Sequence, residues 1–255
     1  MENASIYRNK LELRHSGAPE LQNVILGIIG RKGTGKSTLT REILQRGNRE
    51  FIFDAAGDHL WVPDQFTELD LAYQYIMDHG LRSDSFIGSY IPQNDEDEKS
   101  LISDANEIAS AVWEAGNQTI VFEELPMYSA ANWAPVKITK LLRLGRHHAV
   151  NIVYTGQRAA ELPRRATGAT DVFVLFQTSE PADLERIEER AGYETAELVR
   201  SLGEHEFVVF DAKGRCLVQL DEQWYDRVLT PAYRYTPAIG GRHGKSGRWS
   251  LDDGE

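Results

Sequence analysis

The chain has 255 residues, of which 41% are hydrophobic, and its 39 acidic and 28 basic side chains give a formal net charge of −11. This length and composition suit one large globular domain and exclude a disordered chain, a collagen-like repeat and, with Cys216 as the single cysteine, a disulfide scaffold. The acidic total argues against a protein that coats nucleic acid with its whole surface, but it is compatible with a local basic lining.

Short apolar runs alternate with helical patterns along most of the chain. Strands are predicted at 24–29, 51–54, 85–91, 119–122, 151–155 and 171–176, and a hairpin at 206–210 and 215–220. Helices are predicted at 36–45, 66–80, 99–115 and 136–148, with one or two more at 181–202. Strands that alternate with helices indicate an α/β fold with a mostly parallel sheet covered on both faces, and the hairpin adds antiparallel strands at its edge.

The two ends of the chain differ in composition from the segment between them. We expect a polar N-terminal arm at 1–20, one domain at 21–229 and a basic tail at 230–255 that is rich in Gly, Pro and Arg. The arm lacks the apolar region of a signal peptide, and no apolar run approaches the ~20 residues that a membrane-spanning helix needs. We therefore expect a cytoplasmic protein with no membrane span.

Residues 30–37, GRKGTGKS, fit the phosphate-loop pattern G-x-x-x-x-G-K-[ST] in full. An apolar strand precedes them and a helix-forming run follows, which is the context that this motif requires. Backbone N–H groups of such a loop surround a phosphate chain, while Lys36 reaches the β- and γ-phosphates of ATP and the Ser37 hydroxyl ligates Mg²⁺. The predicted nucleotide-binding residues are Gly30, Arg31, Lys32, Gly33, Thr34, Gly35, Lys36, Ser37 and Thr38.

The apolar strand at 119–122 delivers two adjacent carboxylates, Glu123 and Glu124, to the carboxyl edge of the sheet. Nucleotides bind at this edge in open α/β folds. Because neighbouring residues of a strand point to opposite sides, we expect Glu123 to hold the Mg²⁺ shell through water and Glu124 to deprotonate the attacking water. Two alternatives stay open: both glutamates are solvated strand caps, or Asp54, which also ends a strand, takes the metal role.

Four segments, in this order, resemble the HerA/FtsK superfamily of ring-forming DNA-pumping ATPases. The first is the phosphate loop, and the second is the strand that ends in Asp54, which is similar to the family's D-P-x-G-E with Ala55 and Asp58 in place of the proline and glutamate. The third is the acidic strand end, and the fourth is 144–158, close to G-R-x-x-G, an apolar strand and T-Q-R-P. The resemblance spans 24–160 and implies a P-loop NTPase of the RecA-like (ASCE) type.

The resemblance also implies catalytic roles for residues of the fourth segment. Gln157 follows a strand that should lie between the phosphate-loop strand and the acidic strand, and its amide can contact both a γ-phosphate and the attacking water. The alternative for Gln157 is an amide that caps the strand. The family supplies an arginine from the neighbouring subunit, for which Arg146 is the first candidate here, followed by Arg143 and then Arg158.

The partners that the resemblance implies are double-stranded DNA, bound through its backbone, and further copies of the chain in a ring, with a hexamer favoured. So compact a chain is similar to the genome-packaging ATPases of tailless viruses with an internal membrane. This predicts DNA packaging into a preformed capsid, with a capsid or portal-vertex protein as partner, in the host cytoplasm or at the virion vertex. The alternatives are a mobile-element, conjugation or defence-associated translocase, and an ATP-dependent switch or assembly protein.

Basic side chains form three groups that bear on DNA binding. One group recurs every third residue: Lys137, Lys140, Arg143 and Arg146. On a helix this spacing drifts by about 60° per step, so these side chains are expected to wind around the helix as a solvated face, with a DNA-facing surface as the alternative. The second group comprises Arg158, Arg164 and Arg165. The third lies in the tail, for which a DNA grip, a strap on an adjacent subunit and a disordered end all stay open.

Overall fold

The computed structural model describes residues 23–44, 49–80, 85–93 and 97–218, and the backbone of two short strands at 233–236 and 248–251. The arm predicted at 1–20 and most of the tail predicted at 230–255 lie outside the described residues. Within the described part of the chain, no helix is long and apolar enough to span a bilayer.

Nine strands of the described chain form one sheet, in the order β3-β4-β2-β5-β6-β1-β7-β8-β9. Their bounds are β1 Ile25–Ile29, β2 Arg49–Phe53, β3 Asp64–Phe66, β4 Phe86–Tyr90, β5 Gln118–Phe122, β6 Val150–Gly156, β7 Val172–Phe176, β8 Phe207–Asp211 and β9 Cys216–Val218. Strands β1 to β7 run parallel, and β8 and β9 are antiparallel at the edge. The predicted α/β fold class is confirmed, including the hairpin and the position of β6 between β1 and β5. Strands β10, Tyr233–Thr236, and β11, Arg248–Leu251, form a separate antiparallel pair.

Seven helices accompany the sheet in the described chain: α1 Lys36–Leu44, α2 Leu69–Gly80, α3 Glu98–Ala115, α4 Val136–Leu144, α5 Arg164–Ala169, α6 Pro181–Ala191 and α7 Tyr193–Ser201. The helix predicted at 66–80 begins only at Leu69, because Asp64–Phe66 pairs with β4 as an edge strand. The helix predicted at 136–148 ends at Leu144, and the chain tightens into a 3-10 helix over Gly145–His148. Gly192, with a φ of +87°, separates α6 from α7.

The parallel strands β1 and β7 are apolar throughout because both faces of the sheet are buried there, whereas the edge strand β3 is polar and largely exposed. In β1, Ile25 and Ile29 belong to the larger core cluster, which includes residues of α2 to α7, whereas Leu26 and Ile28 point to a smaller cluster with α1. Gly27 sits between them, where a Cβ atom would approach the Tyr154 hydroxyl to 2.5 Å. This packing fixes β1 against β6, so that the loops after β1, β5 and β6 meet at one edge.

Candidate nucleotide site

The phosphate loop leaves β1 and enters α1 by a path that its glycines make possible. Gly33 and Gly35 have φ angles of +83° and +103°, a region that side chains with a Cβ rarely adopt. At Gly30, a Cβ atom would lie 2.5 Å from the Cβ of Phe176. The Gly30 N–H donates to the carbonyl of Gly156 at 3.1 Å, which ties the loop to the end of β6. The loop is therefore closely packed underneath and exposed on its outer side.

Lys36 and Glu124 lie in contact at the centre of this edge. The Lys36 Nζ is 3.5 Å from Glu124 Oε1 and 3.4 Å from the Arg31 carbonyl oxygen, and both side chains are largely buried. Gln157, at the end of β6, hydrogen-bonds to the Glu124 carboxylate. The phosphate-loop lysine, the acidic residue and the amide, which the sequence places more than 30 residues apart from one another, are thus brought together.

Glu124 is oriented by its backbone rather than by strand alternation. Strand β5 ends at Phe122, and Glu124 has a φ of +46°, in the left-handed region. Its N–H donates to the Thr155 hydroxyl of β6 at 2.8 Å. Consequently the side chains of Glu123 and Glu124 contact different partners, as the two predicted roles require. They diverge because the chain turns after β5, not because a strand alternates its side chains.

The environment raises the pKa of the Glu124 carboxyl. Burial is the largest cause, and the charge of Glu123 acts in the same direction, whereas the charge of Lys36 and the hydrogen bonds from Gln157 and Lys36 oppose them. A carboxylate with a raised pKa is a stronger base than an exposed one, so the position suits a group that accepts a proton from water.

Glu123 is completely buried and points away from Lys36. Its Oε2 lies 3.1 Å from the Nε2 of His59, which is also fully buried. Burial opposes protonation of His59, but the hydrogen bond to Glu123 and the charges of Glu123, Asp54 and Asp58 together raise its pKa. The other carboxylate oxygen, Glu123 Oε1, is buried with no hydrogen-bond partner in the described chain.

The loop after β2 is organised by Asp54. Its two carboxylate oxygens accept the backbone N–H groups of Asp58 at 3.0 Å and His59 at 2.9 Å. Burial is the largest influence on its carboxyl and raises the pKa, although these hydrogen bonds oppose the shift. The sequence left Asp54 open as an alternative to Glu123 for the metal role. Both of its carboxylate oxygens are hydrogen-bonded to the loop that contains Asp58 and His59, which they help to shape.

The residues present fit an Mg²⁺ ion at the predicted place. The Ser37 hydroxyl donates to Asp58 Oδ2 at 3.5 Å, and Glu123, directly after the adjoining strand β5, has the Oε1 that lacks a partner in the described chain. Hydroxyl and carboxylate oxygens are ligands that Mg²⁺ accepts, directly or through its retained waters, with nucleotide phosphates completing the shell. Ser37, Asp58 and Glu123 are the side chains that would hold it.

The first two candidate arginines, Arg143 and Arg146, lie apart from this site. Arg143, near the end of α4, and Arg146, in the following 3-10 helix, are exposed. The Asn117 N–H donates to the His148 carbonyl at 2.7 Å, which places the 3-10 helix beside the start of β5, at the amino edge of the sheet. Neither arginine is therefore near the phosphate loop of its own chain. Arg158 donates from Nε to Asp183 at 2.7 Å.

Four residues near the loop had no catalytic or binding role in the sequence analysis: Asp58, His59, Thr155 and His205. Asp58 was recognised only as a family substitution. The Nδ1 of His205, in the loop between α7 and β8, lies 3.2 Å from the Thr34 carbonyl oxygen of the phosphate loop. These contacts join distant segments, so no local pattern in the sequence could reveal them.

No family model and no curated protein matches the chain by sequence. Solved structures match its fold. The genome packaging NTPase B204 of Sulfolobus turreted icosahedral virus 2, in complex with ATP-gammaS, aligns with a TM-score of 0.61 and 19% identity over 77% of this chain and 95% of its own. The DNA-packaging ATPase B204 of Sulfolobus turreted icosahedral virus aligns with a TM-score of 0.57 and 22% identity over 76% of this chain and 95% of its own. VirB4 of Thermoanaerobacter pseudethanolicus aligns with a TM-score of 0.57 and 11% identity over 80% of this chain and 91% of its own.

At these identities the likeness establishes the fold. The neighbours are FtsK/HerA-type P-loop ATPases, as the resemblance in the sequence predicted, and the chain has their fold. Its phosphate loop, acidic strand end and Gln157 occupy one edge of that fold.

Proposed function

We propose that this protein, which has the fold of FtsK/HerA-type P-loop ATPases, is an ATP-hydrolysing motor that moves double-stranded DNA. The proposal of ATP hydrolysis rests on one observation: Lys36 and Gln157 both contact the Glu124 carboxylate, in the loops that follow the adjacent strands β1, β5 and β6. ATP analogues bound to structural neighbours support the choice of nucleotide.

Each residue has a distinct task in the proposed reaction. Backbone N–H groups of the phosphate loop and the Lys36 ammonium hold the phosphates. Glu124 accepts a proton from the attacking water, and the Gln157 amide, already bonded to the Glu124 carboxylate, orients that water. Ser37, Asp58 and Glu123 would hold an Mg²⁺ ion, which when bound would supply positive charge that neutralises the phosphates.

The distribution of charge supports a polyanionic partner. Residues 125–170 contain seven basic side chains and one acidic side chain, Glu161, in a chain whose net charge is −11. The basic residues are Lys137, Lys140, Arg143, Arg146, Arg158, Arg164 and Arg165. A ring needs only a few phosphate contacts from each subunit, so a local basic surface suffices for a backbone grip.

The likeness in fold to the two B204 proteins supports packaging of a viral genome as the purpose of the motor. We propose a homo-oligomeric ring, with a hexamer favoured, that docks on a capsid or portal-vertex protein. Binding of the purified protein to empty capsids tests this purpose. Translocation without such binding favours the mobile-element, conjugation or defence alternative.

The decisive experiment measures ATP hydrolysis with and without double-stranded DNA, alongside the mass of the oligomer in solution. We expect an oligomer whose hydrolysis rate rises several-fold with DNA and whose stimulation falls steeply with salt. A monomer that hydrolyses ATP at the same rate with and without DNA contradicts the motor. A protein that binds ATP and does not hydrolyse it in either condition supports the switch or assembly alternative.

A further inference from the structure

Two consecutive residues connect the phosphate-loop helix to the acidic strand. The Asp58 carboxylate accepts from the Ser37 hydroxyl of α1, and the next side chain, His59, hydrogen-bonds to Glu123 after β5. The backbone N–H groups of Asp58 and His59 both donate to the Asp54 carboxylate. The loop after β2 therefore sets the distance between two groups that the proposed Mg²⁺ site needs.

The hydrogen bonds of His59 define which of its ring nitrogens carries a proton. The Trp61 indole N–H lies 3.3 Å from His59 Nδ1. Because an indole nitrogen only donates, this contact favours the neutral imidazole with Nδ1 as the acceptor, and in either the neutral or the protonated ring it is Nε2 that donates to Glu123 Oε2. Trp61 in turn contacts the phosphate-loop helix α1: the Arg41 guanidinium lies over its ring, 5.5 Å from the ring centre, in a cation–π contact.

We propose that His59 is a positioning residue for the Mg²⁺ site, an inference that rests on the proposed nucleotide function. Through Nε2 it fixes one oxygen of Glu123, and Trp61 maintains the tautomer that allows it to do so. Glu123 Oε1 is then left, buried and unpartnered, to accept from a water of the Mg²⁺ shell. A buried carboxylate with one oxygen held and one oxygen free has a defined direction, which a metal ligand requires.

The test measures metal affinity rather than turnover. Mn²⁺ binding to the protein loaded with ADP is followed by electron paramagnetic resonance, and ADP affinity is measured separately in EDTA. His59→Phe keeps a ring but removes the donor, and we expect Mn²⁺ binding to weaken by ~10- to 100-fold, as for other partners of metal ligands. ADP affinity in EDTA should stay within about twofold of wild type, because His59 does not contact the phosphate loop.

Matched variants separate the hydrogen bond from simple packing. His59→Gln keeps an N–H donor and should recover part of the Mn²⁺ affinity, whereas a Gln variant as weak as the Phe variant contradicts the proposal. His148→Gln, which alters a half-buried histidine at the amino edge, should bind Mn²⁺ as wild type does. A folded His59→Phe protein with wild-type Mn²⁺ affinity overturns the inference while leaving the ATPase proposal intact. A wild-type protein that binds no ADP overturns both.

The tautomer gives a second readout that does not require the Phe variant to fold. Nitrogen-15 NMR of the wild-type protein should show His59 protonated at Nε2 and accepting at Nδ1. Trp61→Phe removes the indole donor and should shift the Nδ1 resonance and weaken Mn²⁺ binding by several-fold. A wild-type His59 without a proton on Nε2 contradicts the proposal, and a His59 protonated on both nitrogens contradicts the role given to Trp61.

Discussion

The edge of the sheet that carries the proposed nucleotide site and the basic surface of the molecule differ in burial and in side-chain contacts. At the nucleotide edge, which is the carboxyl edge of the sheet with the phosphate loop, the titratable residues Asp54, Glu123 and His59 are fully buried, and His59 hydrogen-bonds to both carboxylates. The basic face, which we define as the exposed side chains of α4, the 3-10 helix at 145–148 and α5, is solvated. Within the described chain, no side-chain hydrogen bond or ion pair holds Arg143 or Arg146.

This difference indicates where each region finds its partners. Groups fixed in a water-poor site are preorganised, so the nucleotide edge can act on charge that develops in a bound phosphate. Exposed arginines that have no side-chain partner in the described part of the chain are available to a phosphate or to an acidic side chain of another molecule, although one exposed ion pair adds little stability. The sequence suggested that the lysines and arginines wind around one helix. However, α4 ends at Leu144, so Lys137, Lys140 and Arg143 cover an arc of only about 120°.

Subunit mixing tests whether the basic face completes the nucleotide edge of a neighbour. Arg146→Ala alone should lower ATP hydrolysis by ~10³- to 10⁵-fold if its guanidinium neutralises the transferring phosphate in trans. Mixed with Glu124→Gln subunits, it should recover up to roughly a quarter of wild-type activity, since randomly mixed head-to-tail interfaces regain both intact groups at that frequency. ATPase assays of the mixtures measure this.

The controls for mixing are two further arginines. Arg143→Ala is taken through the same mixing series, and whichever of the two recovers is the arginine that acts in trans. Arg200→Ala removes an exposed arginine of α7 that already pairs with Glu197, and it should keep wild-type activity. If neither Arg143 nor Arg146 variants lose activity, the two regions do not meet in the oligomer.

Glu124→Gln tests the nucleotide edge within one chain. The amide cannot accept the proton, so kcat should fall by ~10²- to 10⁴-fold while ATP still binds. The measurement pairs steady-state hydrolysis with binding of a fluorescent ATP analogue. Glu185→Gln, on the exposed surface of α6, is the matched control and should hydrolyse ATP normally. Near-normal turnover of Glu124→Gln would assign the base to another group.

Lys36→Ala tests the phosphate loop itself. Loss of the ammonium removes a charge-assisted bond to the phosphates and the ion-pair partner of Glu124, so ATP affinity should fall by about 100-fold, or ~3 kcal/mol. Isothermal titration calorimetry measures the affinity. Lys213→Ala, which removes an exposed lysine paired with Asp171, should bind ATP as wild type does. Full binding by Lys36→Ala would disprove the loop's role.

Local patterns predicted much of this edge, and long-range contacts account for the rest. Lys36 and Ser37 belong to one motif, whereas Gln157 was singled out by the family resemblance, and the strand before it lies between β1 and β5 as expected. The contact between His59 and Glu123 spans 64 residues and depends on β2 pairing with β5, which no local spacing encodes. Strand β3 and helix α5 have three and six residues, too few to show a period.

The smallest predicted effect concerns the basic face and DNA. Arg165 lines a cavity with Trp133 and Val136 at the start of α4, and the exposed Lys137 follows Val136 in the chain. The double variant Lys137→Ala, Arg165→Ala should lower the slope of log affinity against log salt by about 1.8, at roughly 0.9 per lost phosphate contact. Fluorescence anisotropy with double-stranded DNA measures the slope.

The matched control for this double variant removes the same charge elsewhere. Lys213 and Arg200 are exposed and already paired with acidic side chains, so Lys213→Ala, Arg200→Ala should leave the slope unchanged. If both double variants bind DNA as wild type does, the basic face does not grip DNA. A contact between subunits then remains the proposal for Arg143 and Arg146, and the mixing experiment with Arg146 measures it.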